Sequence, residues 1–383
     1  MKKNRSAFSL FNPPFVLPED IRATFRPRGD EPKMNVKAQP VASVNNLAGI
    51  LTDLVHDSKL DTRFVEDGGV VHVSFVSTPG LRRKERKEER WKSSRILARG
   101  SFGRVWLQEC THDNGSKSFR AVKEIFKQKV ANEEKPIDYT RELEAIAKFS
   151  HTKYVYCFVE SFGWYESGSA IFITMEYMEN GDLQEYLSVP FPEAEVKEIA
   201  SQLLEGLTFM HENGFAHRDL KPANVLVSKP SPNWWVKISD FGISKRAQEA
   251  STVFHTVVGT NGYLAPEVMG YYSPDDDEDN DSPYTVAVDL WALGALTFRL
   301  LTNQNIFTEP RMLGRYVVGR APFPKTLLTF HAVSEACICL LEKMMAPSPL
   351  KRPTAVEALE DAWICDDKVA STSQAPSIGN ITR

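Results

Sequence analysis

Cysteine is scarce in this chain: 383 residues carry five, at positions 110, 157, 337, 339 and 365. The number is odd and no C-x-x-C pair occurs, so neither a disulfide framework nor a thiolate zinc site is indicated. A reducing compartment, cytoplasmic or nuclear, is the expected location. Long apolar runs are missing too; none reaches the ~18 residues that a membrane span needs. The apolar stretch after Met1-Lys2-Lys3-Asn4-Arg5 is too short for a secretory signal and is broken by Pro13-Pro14. There is no basic excess. The formal charge is −4 and the pI about 6.1, which speaks against a nucleic-acid partner. No internal repeat of roughly 20–50 residues is visible.

What remains is ordinary globular composition, with 42% hydrophobic and 25% charged residues, enough for a sizeable core. The length suits one two-lobed domain or two domains with tails. Residues 1 to 60 are irregular, with prolines at 13, 14, 18, 27, 32 and 40 and a possible short helix over 45–54. Residues 63–77 alternate around Asp67-Gly68-Gly69 and predict a β-hairpin. Segment 82–92 carries seven basic and three acidic residues and reads as a solvated helix or lead-in strand. From Trp91 the pattern is β-rich with one helix near 138–149. From Asp182 it is mostly helical, with apolar residues at three- and four-residue steps over 193–213, 286–301 and 332–345. The tail 367–383 is polar and low in aromatics.

The chemistry is concentrated in residues 217–242. His217-Arg218-Asp219, Lys221 and Asn224 fit H-R-D-x-x-x-x-N, and Asp240-Phe241-Gly242 follows across two short strand patterns. Two acids, a lysine and an asparagine at these spacings suit phosphoryl transfer from ATP. Asn224 and Asp240 are hard oxygen ligands for Mg²⁺. Upstream, residues 97–105 fit G-x-G-x-x-G-x-V, with Ala98 in place of the first glycine. Gly100 and Gly103 would let backbone N–H groups approach phosphates; a plain hairpin turn explains that stretch alone equally well. Ala121-Val122-Lys123 puts a lysine on an apolar strand, where it reaches phosphates if a carboxylate holds it.

Together these motifs resemble the eukaryotic protein kinase family over residues 94–366, with a Ser/Thr-specific Lys221. The resemblance implies an α+β, bilobal fold: a small β-rich N-lobe with helix C, then a larger helical C-lobe. Residues 1–90 stand outside it as an extension of unknown role, and 367–383 as a flexible tail. It implies ATP and Mg²⁺ as cofactors, with Asp219, Lys221, Asn224 and Thr260 as catalytic residues. It places Leu97, Gly100, Ser101, Phe102, Gly103, Val105, Ala121, Lys123, Glu142, Met175, Glu176, Met178, Asp182, Leu226 and Asp240 at the nucleotide. Among these, Glu142 holds Lys123, Met175 is the gatekeeper, Glu176 and Met178 present hinge backbone to adenine, and Asp182 meets the ribose. Glu267 of Ala265-Pro266-Glu267 should pair with Arg352, and Asp289 should anchor the catalytic loop. Ile146, Phe158, His217 and Phe241 form the expected apolar column between lobes. Asn261 stands where proline is usual, and Ala223 where many basic-directed kinases carry glutamate. The late helices and Trp363-Ile364 are most similar to the calcium/calmodulin-kinase group.

Arg218 before the catalytic aspartate implies control by activation-loop phosphorylation, with Thr256 as phosphosite and Arg218 and Lys245 as its basic pocket. Ser251 and Thr252 are alternatives. The acidic run 275–281 reads as a solvated insert or as bait for basic substrates. Expected partners are protein substrates with Ser/Thr acceptors and an upstream kinase, with no nucleic acid and no membrane span. Two other readings are a pseudokinase-type scaffold and a small-molecule phosphotransferase on the same fold. The four charged or amide residues Lys123, Asp219, Asn224 and Asp240 weigh against the first, and the Ala-Pro-Glu segment with Thr260 against the second.

Overall fold

The computed structural model describes residues 53–66, 68–77, 84–100, 103–127, 140–240, 262–271 and 286–365, excluding the side chains of 140–142. The expected helix over 45–54 and hairpin turn residue Asp67 therefore lie wholly or partly outside the described residues. So do Ser101, Phe102, Phe241, Lys245, Ser251, Thr252, Thr256, Thr260, Asn261, the acidic run and the tail.

The N-lobe is one seven-stranded sheet. Its strands are β1 (Asp61–Phe64), β2 (Val70–Val76), β3 (Glu85–Gly100), β4 (Gly103–Thr111), β5 (Lys117–Phe126), β6 (Ser161–Glu166) and β7 (Ala170–Glu176). Their spatial order is β1-β2-β3-β4-β5-β7-β6, with every neighbouring pair antiparallel. The predicted hairpin forms, with Phe64 opposite Val70. Segment 82–92 resolves as strand from Glu85, not helix. Its charges alternate across two exposed faces while β2 and β4 take up its backbone, which is how a charged segment satisfies its N–H and C=O groups without burying charge. Among the described residues β-structure thus begins at Asp61, and the strands of the predicted hairpin join the same sheet as those that follow Trp91. The chain just before β1 returns to β6: Leu60 N–H donates to the Trp164 carbonyl at 2.7 Å, and Trp164 N–H donates to the Ser58 carbonyl at 3.1 Å. The sheet closes on itself there, through a parallel bridge between Lys59 and Trp164.

Helix α1 (Thr140–Phe149) packs beside this sheet. The C-lobe is built on α2 (Glu193–Glu212) and α3 (Ala287–Thr302). In α2, Val196, Ile199, Ala200, Leu203, Leu204 and Leu207 repeat at helical spacing and are buried. α3 is buried nearly all round, as expected of a helix at the centre of a lobe. Around them lie α4 (Pro310–Val317), α5 (Thr326–Phe330), α6 (Glu335–Met344), α7 (Ala355–Leu359) and α8 (Ala362–Cys365). A capping box starts α7: Thr354 Oγ1 accepts from Glu357 N–H, and the Glu357 carboxylate accepts from Thr354 N–H. Between α2 and α3, a two-stranded ribbon, β8 (Val225–Lys229) with β9 (Trp235–Ile238), carries the catalytic loop on one side and Asp240 on the other. Among the described residues no helix is long and apolar enough to cross a membrane.

Candidate active site

The strand-turn pair β3–β4 supplies the glycine loop. Gly100 faces Gly103 across the ladder, and a register shift between Ile96 and Ala98 places Leu97 at the bulge. The two glycines have different reasons to be glycine. A Cβ on Gly100 would meet only the Gly103 carbonyl, at 4.0 Å, whereas one on Gly103 would sit 1.8 Å from the carbonyl oxygen of Glu124. Gly103 is therefore required by strand packing, besides any phosphate. Val105 pairs with Lys123, and Ala121 with Met175. These ladders put Val105, Ala121, Lys123 and Met175 on neighbouring strands.

Lys123 Nζ makes an ion pair with the Asp240 carboxylate. Burial would raise the pKa of Asp240, but the Lys123 ammonium, the hydrogen bond from it and the charge of Lys221 hold it below the ordinary carboxylate range. The backbone of Glu142 lies in α1 as expected; its side chain is outside the described residues, so the expected Glu142–Lys123 pair is too. A small cavity beside the pair is lined by Lys123, Ile146, Val159, Ile173, Met175 and Asp240.

The catalytic loop is tied from below. Asp289 on α3 is fully buried. It accepts from His217 N–H at 2.8 Å, Arg218 N–H at 2.7 Å and His211 Nε2 at 2.9 Å. Burial alone would raise its pKa, but the donors and charge of His211, with His217 and Arg218 behind them, keep the carboxyl ionised below its ordinary range. His217, also fully buried, bonds through Nε2 to the Ser239 carbonyl at 3.0 Å and accepts at Nδ1 from Asp219 N–H at 3.3 Å. A carbonyl only accepts, so the ring is the Nε2–H tautomer, and it ties the catalytic loop to the residue before Asp240. Arg218 (φ 65°) and Asp240 (φ 60°) both adopt the left-handed region, a strained backbone that such a network can hold.

Above this cradle, Lys221 Nζ donates to Asp219 Oδ2 at 2.8 Å. Asn224 Nδ2 donates to the Asp219 carbonyl at 2.8 Å and to its Oδ2 at 3.2 Å. The Asn224 amide thus spends its nitrogen on Asp219, and its carbonyl oxygen lies outside those bonds. Asn224 and Asp240 are joined through Ser239, whose N–H donates to the main-chain carbonyl of Asn224 at 2.9 Å, leaving the side-chain amide oxygen out of that bond. A carboxylate and an amide oxygen so linked fit the hard-oxygen preference of Mg²⁺.

At the hinge, Glu176 ends β7. Its carboxylate accepts from Lys237 Nζ at 2.6 Å and Glu160 N–H at 2.8 Å, which turns the side chain toward β9. The Met178 carbonyl accepts from Gly181 N–H at 3.2 Å. Asp182 bridges to Leu226 on β8. Its Oδ1 is buried with no hydrogen-bond partner in the protein, and burial together with Glu185 pushes its carboxyl above the ordinary range. In the expected column, Phe158 and His217 are buried and Ile146 is partly so. Glu267 and Arg352 pair as expected, bidentate at 2.6 and 2.7 Å and wholly buried.

Sequence reading missed three contributors: Ser239 as the splice between the loops, His211 as a third ligand of Asp289, and Lys237 on Glu176. Each acts through a backbone atom or a partner at least 15 residues away, and no spacing rule marks such contacts.

The family described as protein kinase domain matches residues 91–364. The chain is 33% identical to the serine/threonine-protein kinase cds1 of Schizosaccharomyces pombe over 276 residues, which are 70% of this chain and 57% of that protein. It is 30% identical to the calcium/calmodulin-dependent protein kinase type 1 of Caenorhabditis briggsae over 281 residues, 72% of this chain and 73% of that one. The crystal structure of Rad53 1–466 in complex with AMP-PNP shares the fold at TM-score 0.55 and 24% identity, covering 78% of this chain and 83% of that chain. The bilobal α+β architecture, the loop-and-ribbon cradle and these matches agree that the chain belongs to the eukaryotic protein kinase family, whose members use ATP and Mg²⁺.

Proposed function

We propose that this chain is a Ser/Thr protein kinase that moves the γ-phosphoryl group of ATP to hydroxyls of protein substrates. The observation that carries the reading is the continuous set of contacts from Lys123 through Asp240 and Ser239 to Asn224, Asp219 and Lys221. In this reading Lys123, braced by Glu142, holds the α- and β-phosphates. Asp219 accepts the hydrogen bond of the substrate hydroxyl and aims its oxygen; for a loose transition state, aim counts for more than basicity. Lys221 neutralises the γ-phosphate, and Thr260 bonds Asp219 and Lys221. Asn224 and Asp240 hold Mg²⁺, which when bound shields phosphate charge. Leu97, Gly100, Ser101, Phe102, Gly103 and Val105 cover the nucleotide, while Ala121, Met175 and Leu226 flank the base and Glu176 and Met178 offer it backbone groups. The orphan Asp182 Oδ1 is an acceptor suited to a ribose hydroxyl.

The same proposal includes a switch. A phosphate on Thr256 would be met by Arg218 and Lys245, ordering the segment before Ala265-Pro266-Glu267, and an upstream kinase would place it there. Location in the cytoplasm or nucleus belongs to this reading as well. No observation favours the scaffold reading over it.

The test is transfer from labelled ATP with Mg²⁺, to the protein itself and to a generic basic protein, beside Asp219→Asn. Wild type should label Ser/Thr, and the variant should be slower by about 10³-fold, within the range for loss of a positioned acid–base group. Mapping should place label on Thr256. Wild type that binds Mg²⁺-ATP yet transfers nothing, with Thr256 phosphorylated, would refute the enzyme reading; full activity with Thr256 unmodified would refute the switch.

A further inference from the structure

The residues matched by the family begin at 91, yet the core beside Lys123 contains a residue from well before that point. Val55 is 8% exposed and shares one apolar cluster with Ile125 on β5, Leu143 on α1, and Ile171 and Ile173 on β7. Ile146, Trp164 and Met175 pack against the same cluster. Ile146, Ile173 and Met175 also line the cavity next to Lys123 and Asp240. A segment outside the family match therefore shares one cluster with Leu143 of the helix that carries Glu142 and with walls of the cavity beside Lys123 and Asp240.

The seat for this segment is specific. Trp164 Nε1–H donates to the Val55 carbonyl at 2.9 Å. Leu60 and Ser58 exchange backbone hydrogen bonds with Trp164 on either side of it. Lys59 Nζ lies 2.7 Å from Glu166 Oε1 and over the Trp164 ring at 4.9 Å. Gly163, at φ +111°, admits the approach: a Cβ there would lie 2.5 Å from the Ser58 carbonyl oxygen and 3.0 Å from Leu60 Cδ2. A left-handed glycine that makes room for one particular carbonyl is a designed contact rather than a surface accident.

From this we infer that residues 55–60 are a brace supplied in cis, with Val55 a positioning residue that sets α1 and, through it, the phosphate-holding Lys123. The inference rests on the kinase reading for its catalytic consequence but not for its structural one. Side chains packed against one face of a helix fix its rotation and height, because a close-packed core does not deform continuously. Loss of the Val55 methyls thins the cluster that Leu143 and Ile146 of α1 share with β5 and β7, and α1 carries the residue expected to hold Lys123. The brace acts on substrate binding as well as turnover, which a merely structural residue would not do. A destabilised kinase has fewer active molecules, so its apparent kcat falls while KM for ATP stays in place; a displaced α1 raises KM.

The experiment compares full-length wild type with Val55→Ala, Trp164→Phe, Val55→Ile and the exposed-site control His56→Ala, well below their Tm. Two readouts are taken: steady-state kinetics in ATP, and backbone hydrogen exchange across 140–149. Val55→Ala should raise KM for ATP about fivefold, the middle of the range over which residues outside a site modulate coupling, and should deprotect 140–149 selectively. Trp164→Phe, which keeps the apolar ring and deletes the bond to Val55, should do the same to a smaller degree. Val55→Ile should restore KM, and His56→Ala should leave it unchanged. An unaltered KM with unaltered exchange in 140–149, or exchange that rises uniformly through the N-lobe, overturns the inference. If wild type itself transfers no phosphate, the kinase reading fails while the exchange data still decide the brace.

Discussion

Each lobe has a buried charge that ties several segments together. In the C-lobe the Asp289 carboxylate collects two consecutive backbone N–H groups and a histidine. In the N-lobe the Arg120 guanidinium on β5 donates to Gln108 on β4 at 2.7 and 3.0 Å and to His72 on β2 at 2.7 Å, and stacks over Trp91 on β3 at 4.1 Å. Arg120 thus crosses four strands and ties the family sheet to the hairpin that precedes it. The difference lies in the partners. Asp289 is surrounded by donors that stabilise its charge, so burial is offset and its pKa falls. Arg120 faces neutral acceptors, and burial lowers its pKa to about 10. It remains charged near neutrality, and its bond to His72 lasts only while His72 stays neutral. The C-lobe hub is a carboxylate met by donors; the N-lobe hub is conditional on a neutral His72.

Breaking the hubs should separate them by readout. Asp289→Ala strands the His217 and Arg218 N–H groups in a dry interior, at about 1–3 kcal/mol for each unsatisfied group. Denaturant unfolding should show a loss of about 3–5 kcal/mol, and phosphotransfer should fall with it because those two residues precede Asp219. Arg120→Met fills the volume but leaves Gln108 and His72 acceptors without their donor. The expected loss is about 2–4 kcal/mol on the same basis, with KM for ATP unchanged, since Arg120 is not among the residues that line the cavity beside Lys123. A normal catalytic rate in Asp289→Ala, or an altered KM in Arg120→Met, would contradict this division.

The same division explains what could be read from the chain. Asp289 and the pair Glu267 with Arg352 were legible because their spacing and neighbours recur as fixed words, and the resemblance specifies what they hold. The hairpin 63–77 was legible from alternation and a Gly-Gly turn. Where it goes was not. Nothing local in Val-Val-His-Val says that His72 meets an arginine 48 residues on, or that Val55 reaches a cluster with Leu143. Those contacts depend on closure of the sheet by long-range pairing, which leaves no periodic trace. The charged stretch before Trp91 likewise reads as helix or strand until β2 is known to pair with it. Gly103 was assigned to phosphate approach, and its packing against the Glu124 carbonyl follows only from the register of β4 with β5.

The conditional hub makes the finest prediction. Arg120 can only donate, so His72 Nε2 accepts, and Nδ1–H donates to Thr62 Oγ1 at 2.8 Å. Protonation at Nε2 would destroy the bond to Arg120 and set two cations face to face. Burial first, then the Arg120 charge, lower the His72 pKa from 6.5 to about 4, against weaker upward pulls from Glu89 and an Asp61 backbone contact; the Tyr165 ring closes the remaining side at 5.2 Å. A folded pKa below the unfolded one means stability that is complete above about pH 6.5 and lost as pH falls toward 4, because the unfolded chain takes the proton first. Between pH 7.5 and 5 this one site should cost about 2 kcal/mol. His72→Gln can accept from Arg120 and donate to Thr62 without titrating, so its unfolding free energy should decline less over that interval by about the same amount. Parallel pH profiles for the two proteins would show that the hub tolerates a charged His72, and would remove the contrast between the lobes.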